Sequence, residues 1–312
     1  MNNQNKNSTR QELKSTDLKW INISDIKEED TQYLAKNFEF HHLDLEDCLT
    51  ENQRSKIDEY PEYLFVILHL PTQNKRHKRL TQLELNVFVG HGYLITIHEN
   101  HPTINKIFDA CLKDKTFRNE FMSKGSGYLF YKVLNELFEG IFPISDDLTK
   151  NLNTIENDVF ENDSGKDRLK DILLVKKDII NFRRIILPQR AVIAQLEHLN
   201  MKFSHDNLDI YFDNIVDKIE KVFGVMENLK ELADSLHQTN ESIISHNTNN
   251  IIKVLTIFSV VMLPLTVITG FYGMNVEGLP VAEKEAAALI VGGFMFIVVL
   301  LMLLFFKYKK WV

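Results

Sequence analysis

The chain has 312 residues, of which 44% are hydrophobic and 25% charged, and its formal net charge is -7 at pH 7. This acidic balance suits a partner that is a cation. It argues against a general nucleic-acid-binding protein, since no sustained basic patch interleaved with aromatic residues is present. Cys48 and Cys111 are the only cysteines, too few for a disulfide framework or a cysteine zinc site, which indicates a reducing compartment for the large N-terminal part.

The N-terminal part contains short β-rich runs. Residues 1–17 are polar, and we expect a disordered tail there. Strands are predicted at LKWINI, YLFVILHL, LELNVFVG and YLITIHE, with Gly90-His91-Gly92 as the hairpin turn between the last two. The stretch Leu43–Tyr60 has a helical pattern between strands. Together these segments predict an α/β domain over residues 18–125.

Long helices are expected over residues 126–250. Between Pro188 and Pro264 there is no proline, and Gly224 is the only glycine in that stretch. This indicates one continuous helix from about Asp209 into the first apolar segment, about 60 residues and roughly 90 Å long at 1.5 Å per residue. Such a helix would form a stalk that continues into the membrane.

Two apolar segments at about residues 254–272 and 286–306 predict a transmembrane hairpin over residues 251–312. Each has close to the ~20 residues that cross a hydrocarbon layer about 30 Å thick. Lys307, Lys309 and Lys310 follow the second segment, and under the positive-inside rule that end is cytoplasmic. An even number of spans places the N-terminus in the cytoplasm too, so we expect a multi-pass protein of the cell membrane.

One face of the first span carries small and polar residues. Positions on this face recur in alternating steps of three and four, as in a heptad seam. We call them the seam: Asn249, Ile252, Thr256, Ser259, Leu263, Thr266, Gly270 and Gly273. Such a strip either packs against a partner helix or lines water, and the spacing leaves both interpretations open. One helix cannot enclose a channel, so a pore would need several copies around an axis.

The sequence offers no basis for an enzyme or for a bound cofactor. No Ser/His/Asp or paired-carboxylate arrangement stands out. The segment DSGKD at 163–167 lacks the first glycine of a phosphate-binding loop, so no nucleotide partner is expected. His41-His42 and the pair His98 and His101 are spaced closely enough for metal ligands, but without cysteine partners a structural or surface role is favoured.

The end of the first span carries a recognisable pattern, Tyr272-Gly273-Met274-Asn275. The match extends through KVLTIFSVVMLPLTVITGFYGMN, and a short loop, a second span and a lysine-rich end follow it. In these features the chain resembles the CorA family of divalent-cation (magnesium/cobalt) transporters, also called the CorA/ZntB metal ion transporter family. Upstream the resemblance is looser, with LEDCLTENQRSKIDEYPEYLFVIL similar to the family's N-terminal domain.

The resemblance implies a funnel-shaped homopentamer with an α/β N-terminal cytoplasmic domain, a long stalk helix and two transmembrane helices. It implies passive, gated influx of Mg²⁺ driven by the membrane potential, with Co²⁺ or Ni²⁺ often tolerated and Mg²⁺ also a regulatory ion. Transferred residue by residue, Gly273, Met274 and Asn275 form the selectivity filter, with Asn275 as the ring at the outer mouth. The resemblance implies a pore lining of five residues that all lie on the seam: Asn249, Ile252, Thr256, Leu263 and Thr266. The spacing of the seam adds Ser259 and Gly270 to the predicted lining.

Two acidic features accompany the resemblance. Glu277, in the outer loop, is expected to raise the local concentration of cations. The family's regulatory metal site uses an acidic stalk residue, and ungapped counting places Asn214 at that position. Asp213 and Asp217 are therefore the candidates for a regulatory site.

Two alternative functions stay open. The loop reads Leu279-Pro280-Val281 where typical members have Met-Pro-Glu, which leans toward a ZntB-like Zn²⁺ transporter, with or without proton coupling. A membrane-anchored sensor or scaffold that does not transport would use its spans only to bring copies together. The seam favours conduction, because an anchor has no need of hydroxyl groups on one line.

Overall fold

The computed structural model describes residues 9–15, 17–50, 53–73, 80–161, 165–198, 208–274, 279–280 and 286–311. The chain divides into two compact units, Met1–His237 and Gln238–Val312. The first unit contains an α/β sheet domain and long helices, and the second contains two apolar helical segments. The predicted fold class, an N-terminal α/β domain followed by a long helix and two apolar C-terminal helices, is confirmed.

A six-stranded sheet opens the first unit. Its strands are β1 Thr9–Ser15, β2 Leu18–Ser24, β3 Lys56–Glu59, β4 Tyr63–Gln73, β5 Leu80–Gly90 and β6 Tyr93–His98. The order across the sheet is β1-β2-β6-β5-β4-β3. Neighbours pair antiparallel except β2 and β6, which pair in parallel from Lys19↔Tyr93 to Ser24↔His98.

The described helices follow the sheet's strands or connect them. They are α1 Glu28–Asn37, α2 His42–Asp47, α3 Pro102–Lys113, α4 Lys115–Met122, α5 Ser126–Glu139, α6 Phe142–Glu161, α7 Gly165–His198, α8 Asp209–Tyr272 and α9 Ala287–Tyr308. Leu34 of α1 and Leu45 of α2 pack on one face of the sheet against a core that includes Phe65 and Phe88. The α3 residue Phe108 meets Trp20 of β2 edge to face, with ring centroids 4.9 Å apart.

Two of the predicted segments need correction, because each contains an edge strand of the sheet. Residues 9–15, expected in a disordered tail, form β1, which pairs with β2 from Thr9↔Ser24 to Ser15↔Leu18. The stretch 43–60, expected to be helical, contains α2 and then β3. Both strands can consist mainly of polar residues, because backbone hydrogen bonds to one neighbouring strand hold them in place. Leu13 is the buried apolar residue that β1 contributes.

The predicted hairpin turn between β5 and β6 is present as the two residues His91-Gly92. Gly92 has φ +72°, in the left-handed region that glycine adopts without penalty. Gly90 is required by close approach, because a Cβ there would lie 2.2 Å from Cζ of Tyr93. The glycines that the sequence offered as a turn signal therefore have two different physical roles.

The helix α8 is continuous over 64 residues, as the scarcity of glycine and proline predicted. Within the first unit it lies antiparallel to α7, and three ion pairs connect the two helices at intervals of seven residues: Lys176 to Asp234, Arg183 to Glu227 and Arg190 to Glu220. Pairs this exposed contribute ~0.2–1 kcal/mol each. Their regular spacing sets the register of α7 against α8, while buried apolar side chains on both helices supply the stability.

Two buried histidines lie at the junction between β6 and α3. The backbone N–H of His101 donates to Nδ1 of His98 at 2.9 Å, so the His98 proton sits on Nε2, 3.0 Å from Oδ1 of Asn22. Burial lowers the pKa of His98 to about 3, with the nearby His101 a smaller cause, and lowers the pKa of His101 to about 4. Both rings are neutral in the folded chain and have a structural role.

We expect the fold to lose stability as the pH falls below 6.5. The unfolded histidines, with an ordinary pKa near 6.5, then bind protons that the folded chain excludes until the pH reaches their lowered folded pKa values. Each histidine should cost about 1.4 kcal/mol per pH unit in this window. Thermal unfolding of the detergent-solubilised chain at pH 7.5 and 5.5 measures this cost.

The variant His101→Gln removes one of the two titrating rings, so its melting temperature should depend less on pH. His42→Gln, at an exposed position, is the matched control and should keep the full dependence. Equal pH dependence in wild type and His101→Gln would show that burial of this ring does not cause the effect.

Candidate functional site

The second unit contains the transmembrane hairpin that the sequence predicted. By length and composition, α8 and α9 are the two described helices suited to cross a membrane. The first apolar segment ends at Tyr272 as expected. The second begins at Ala287 and ends at Tyr308, two residues beyond the predicted end.

One side of α8 faces α9. The α8 residues Ile257, Val261 and Ile268 are partly sheltered and lie on that side, and α9 presents a sheltered stripe at Val291, Met295, Val298, Met302 and Phe306. A cavity of about 510 Å³ lies between the two helices, lined by Val267, Ile268, Phe271, Tyr272, Ile290, Val291 and Phe294. This apolar side of the first span therefore has its partner within the same chain.

The seam lies beside that apolar side and is left open. Seven of its eight positions are exposed, and Thr256 alone is partly sheltered. Ile252 is 54% and Leu263 69% exposed. A Cβ added at Gly270 would meet no atom within 4 Å. In the part of the chain that the structure describes, no helix covers the seam.

The seam hydroxyl groups use their hydrogens inside the helix. Thr256, Ser259 and Thr266 donate to the carbonyl oxygens four residues earlier, at 2.7, 2.9 and 2.9 Å. A hydroxyl oxygen retains its acceptor lone pairs when its hydrogen is used in this way. The seam therefore presents acceptor oxygens outward, which suits a cation or the water molecules around a cation and does not suit an anion.

The C-terminal end of α8 closes tightly on a glycine. Gly273 N–H donates to the carbonyl of Thr269 at 2.8 Å, and Met274 N–H donates to the carbonyl of Phe271 at 3.4 Å. A Cβ on Gly273 would lie 3.0 Å from the Thr269 carbonyl oxygen, so a side chain there would require the last turn to shift by a few tenths of an ångström. Asn275 and Glu277 lie outside the described residues.

The regulatory candidates belong to a charge-balanced part of the first unit. A cleft of about 320 Å³ is lined by Glu139, Phe142, Asn214, Asp217, Lys218 and Lys221. Lys218 forms an ion pair with Glu139 and donates to Oδ1 of Asn135 at 2.8 Å. Asp213 does not line this cleft. Among the described residues no group of three or more His, Cys, Asp or Glu side chains can hold a metal ion, so a regulatory site at Asp213 or Asp217 stays a prediction that needs a second copy.

The structure adds one charged residue that the sequence analysis did not single out. Lys253 lies at the start of the first apolar segment, and its Nζ donates to the carbonyl oxygen of Lys310 at 3.4 Å. Its position could have been noticed in the sequence, because Lys253 is the charged residue directly before the first apolar segment. The separation of 57 residues hid its closeness to the C-terminal lysines.

Comparisons with known proteins agree with this architecture. The family model described as CorA-like Mg²⁺ transporter protein matches residues 15–310. The cobalt/magnesium transport protein CorA of Thermotoga maritima is 26% identical over 295 residues, 94% of this chain and 83% of the relative. The cobalt/magnesium transport protein CorA of Methanocaldococcus jannaschii is 24% identical over 267 residues, 85% of this chain and 82% of the relative.

A solved structure shares the fold along most of the chain. The complete structure of the CorA magnesium transporter from Methanocaldococcus jannaschii aligns with a TM-score of 0.83 and 21% sequence identity. The alignment covers 95% of this chain and 92% of that one. The sheet domain, the long helix and the apolar C-terminal helices are therefore common to both proteins.

Proposed function

The chain belongs to the CorA-like Mg²⁺ transporter family, and from this premise we propose that it is a passive channel for Mg²⁺ influx whose pore is lined by the seam of several copies. Membership makes it a membrane transporter of divalent cations. The observation that supports the finer proposal is the open line of acceptor oxygens along α8. Co²⁺ and Ni²⁺ would be secondary ions.

Several copies are needed because one helix cannot surround an ion. The proposed assembly is a homopentamer with the seams turned toward a central axis and the α9 helices outside them. In this arrangement α9 separates the apolar side of α8 from lipid, and the seam oxygens contact water in the pore. Both chain ends would be cytoplasmic, because the lysines after α9 follow the positive-inside rule.

The chemistry of the seam and of the filter fits a hydrated ion. Mg²⁺ prefers octahedral oxygen coordination and gives up its water molecules reluctantly, so neutral oxygens can hold it through its hydration shell. The proposed filter is Gly273, Met274 and Asn275, with the Asn275 amide oxygens as the ring. A ring of carboxylates at that point would bind the bare ion tightly and slow its release. Glu277 would attract cations to the outer loop.

The membrane potential supplies enough energy for this transport. A divalent ion gains about 4.6 kcal/mol per 100 mV, twice the value for a single charge. This energy supports a concentration of the ion inside that is more than ~1,000 times the concentration outside. Transport therefore needs no nucleotide. The regulatory role of Mg²⁺ in the first unit is part of the proposal, with Asp213 and Asp217 as its candidate ligands.

A ZntB-like Zn²⁺ transporter is the second candidate, and the loop residues Leu279-Pro280-Val281 favour it. An anchored sensor or scaffold would leave the line of acceptor oxygens without a role.

Uptake of ions into proteoliposomes that contain the purified chain distinguishes the Mg²⁺ channel, the Zn²⁺ transporter and the anchor. We expect Mg²⁺ uptake that follows an imposed inside-negative potential. Zn²⁺ uptake driven by a pH gradient would support the ZntB-like function, and no flux of either ion would support the anchor.

A further inference from the structure

Four lysines lie at one end of the transmembrane hairpin. Lys307, Lys309 and Lys310 stand at the end of α9, and Lys253 reaches the carbonyl oxygen of Lys310 from α8. Lys307, Lys309 and Lys310 are exposed, and Lys253 is half-buried. The lysine cluster, as we call these four residues, therefore joins the two membrane-spanning helices at the level where their apolar segments end.

The end of α9 is held in a defined shape. Lys310 N–H donates to the carbonyl of Lys307 at 3.1 Å, and Trp311 N–H donates to the carbonyl of Phe306 at 2.9 Å. The Trp311 and Phe306 rings stack with centroids 5.8 Å apart and an interplanar angle of 21°. This is a Schellman motif with its usual apolar contact. It fixes the lysines and a tryptophan beside one another on an ordered turn.

Lys310 occupies a backbone conformation that favours glycine. Its φ is +56°, in the left-handed region, where a side chain costs roughly 1–2 kcal/mol compared with glycine. Glycine is the usual residue at this position of the motif. A lysine at a strained position is an observation that points to a use for its side chain.

Among the described residues, no carboxylate pairs with a side chain of the lysine cluster. The sequence has no Asp or Glu between Glu241 and Glu277, and none after Glu285. Four ammonium groups at the same end of the hairpin raise the local positive potential, which favours an anion there.

We propose that Lys253, Lys307, Lys309 and Lys310 together bind the phosphate headgroup of an anionic phospholipid, with Trp311 at the headgroup level of the same lipid. The inference rests on the placement of α8 and α9 in a membrane and is independent of the transported ion. Ammonium groups donate charge-assisted hydrogen bonds to phosphate, and each lysine at an anionic membrane surface contributes ~1 kcal/mol. Because Lys253 belongs to α8, a bound headgroup holds the ends of both spans together.

Quenching of tryptophan fluorescence by brominated lipids tests this inference on the full chain. The protein contains Trp20, which is fully buried in the sheet domain, and Trp311, which is 43% exposed. In phosphatidylcholine vesicles, brominated phosphatidylglycerol should quench Trp311 at a several-fold lower mole fraction than brominated phosphatidylcholine. Trp311→Phe should abolish the quenching and so identify its source. Equal quenching by the two lipids in the wild-type protein would overturn the inference.

Two variants connect the preference to the lysine cluster. Lys253→Gln should weaken the preference for phosphatidylglycerol about fivefold, equivalent to ~1 kcal/mol, and the triple change of Lys307, Lys309 and Lys310 to Gln should abolish it. Lys150→Gln, exposed on α6, is the matched control and should keep it. A preference unchanged in the triple variant would overturn the inference.

A further arm separates a lipid from a soluble phosphate. Glycerol phosphate added at constant ionic strength should leave the quenching by brominated phosphatidylglycerol unchanged, and its displacement of the lipid would contradict a lipid headgroup as the ligand. The measurement does not involve ion flux. Its failure is therefore distinguishable from a failure of the proposed channel function.

Discussion

Replacing Asn275 by alanine is expected to abolish Mg²⁺ uptake into proteoliposomes under an inside-negative potential. The amide oxygen is the neutral acceptor proposed to hold the ion's water molecules at the outer mouth, and alanine offers no acceptor in its place. In a pentamer the change removes five such contacts together. At ~0.5–1.5 kcal/mol for each hydrogen bond, the loss corresponds to a decrease of at least about seventyfold in rate.

The controls for this prediction separate a damaged filter from a damaged protein. Asn275→Ala should elute at the same size as the wild-type protein in detergent, which shows that the assembly is intact. Asn275→Asp retains the oxygens but adds charge, so it should bind the ion more tightly and pass it more slowly. Uptake by Asn275→Ala at the wild-type rate would exclude the proposed filter.

A Thr266→Val substitution is expected to lower Mg²⁺ uptake by about tenfold, whereas Thr269→Val should leave uptake near the wild-type rate. Each hydroxyl donates to the carbonyl four residues earlier at 2.9 Å, but Thr266 lies on the seam and Thr269 lies off it. Valine has a similar shape and no oxygen. Both variants lose the bond to the carbonyl four residues earlier, and Thr269→Val also loses a 3.1 Å contact with the carbonyl of Thr266. Only Thr266→Val removes acceptors from the proposed pore, about 1 kcal/mol or more over several copies.

Flux measurements on the two variants, together with their size in detergent, decide between the interpretations of the seam that the spacing left open. Equal loss of uptake in both variants would show that the hydroxyls act by shaping the helix. Dissociation of the Thr266→Val oligomer, with uptake per remaining oligomer unchanged, would show that the seam is a packing surface. Either result would contradict a pore lined by the seam oxygens.

Much of the architecture is predictable because it depends on local properties of the chain. The strands β4, β5 and β6 are apolar runs bounded by turn residues, and the Gly90–Gly92 segment marks the hairpin between the last two. The continuity of α8 follows from the near absence of glycine and proline over its length. The approximate ends of the spans follow from the number of consecutive apolar residues, which can be counted in the sequence.

The candidate site is predictable in one respect and not in another. The seam is a regular repeat along a single helix, so its membership can be read by counting, and the family resemblance adds Asn275 at its outer end. The direction of the hydroxyl hydrogens and the side of α8 that α9 shelters depend on three-dimensional contacts. These contacts show that Ile257 and Ile268 face the second span while Leu263 and Thr266 stay exposed.

The sequence by itself determined the elements whose residues carry their own pattern: the apolar strands, the long helix, the two spans and the seam. Only the tertiary structure decided that the polar segments β1 and β3 are strands, because backbone pairing with β2 and β4 holds them and needs no apolar pattern. It also decided that Lys253 meets Lys310. Contacts between distant residues depend on how whole elements pack, and no local spacing encodes that packing.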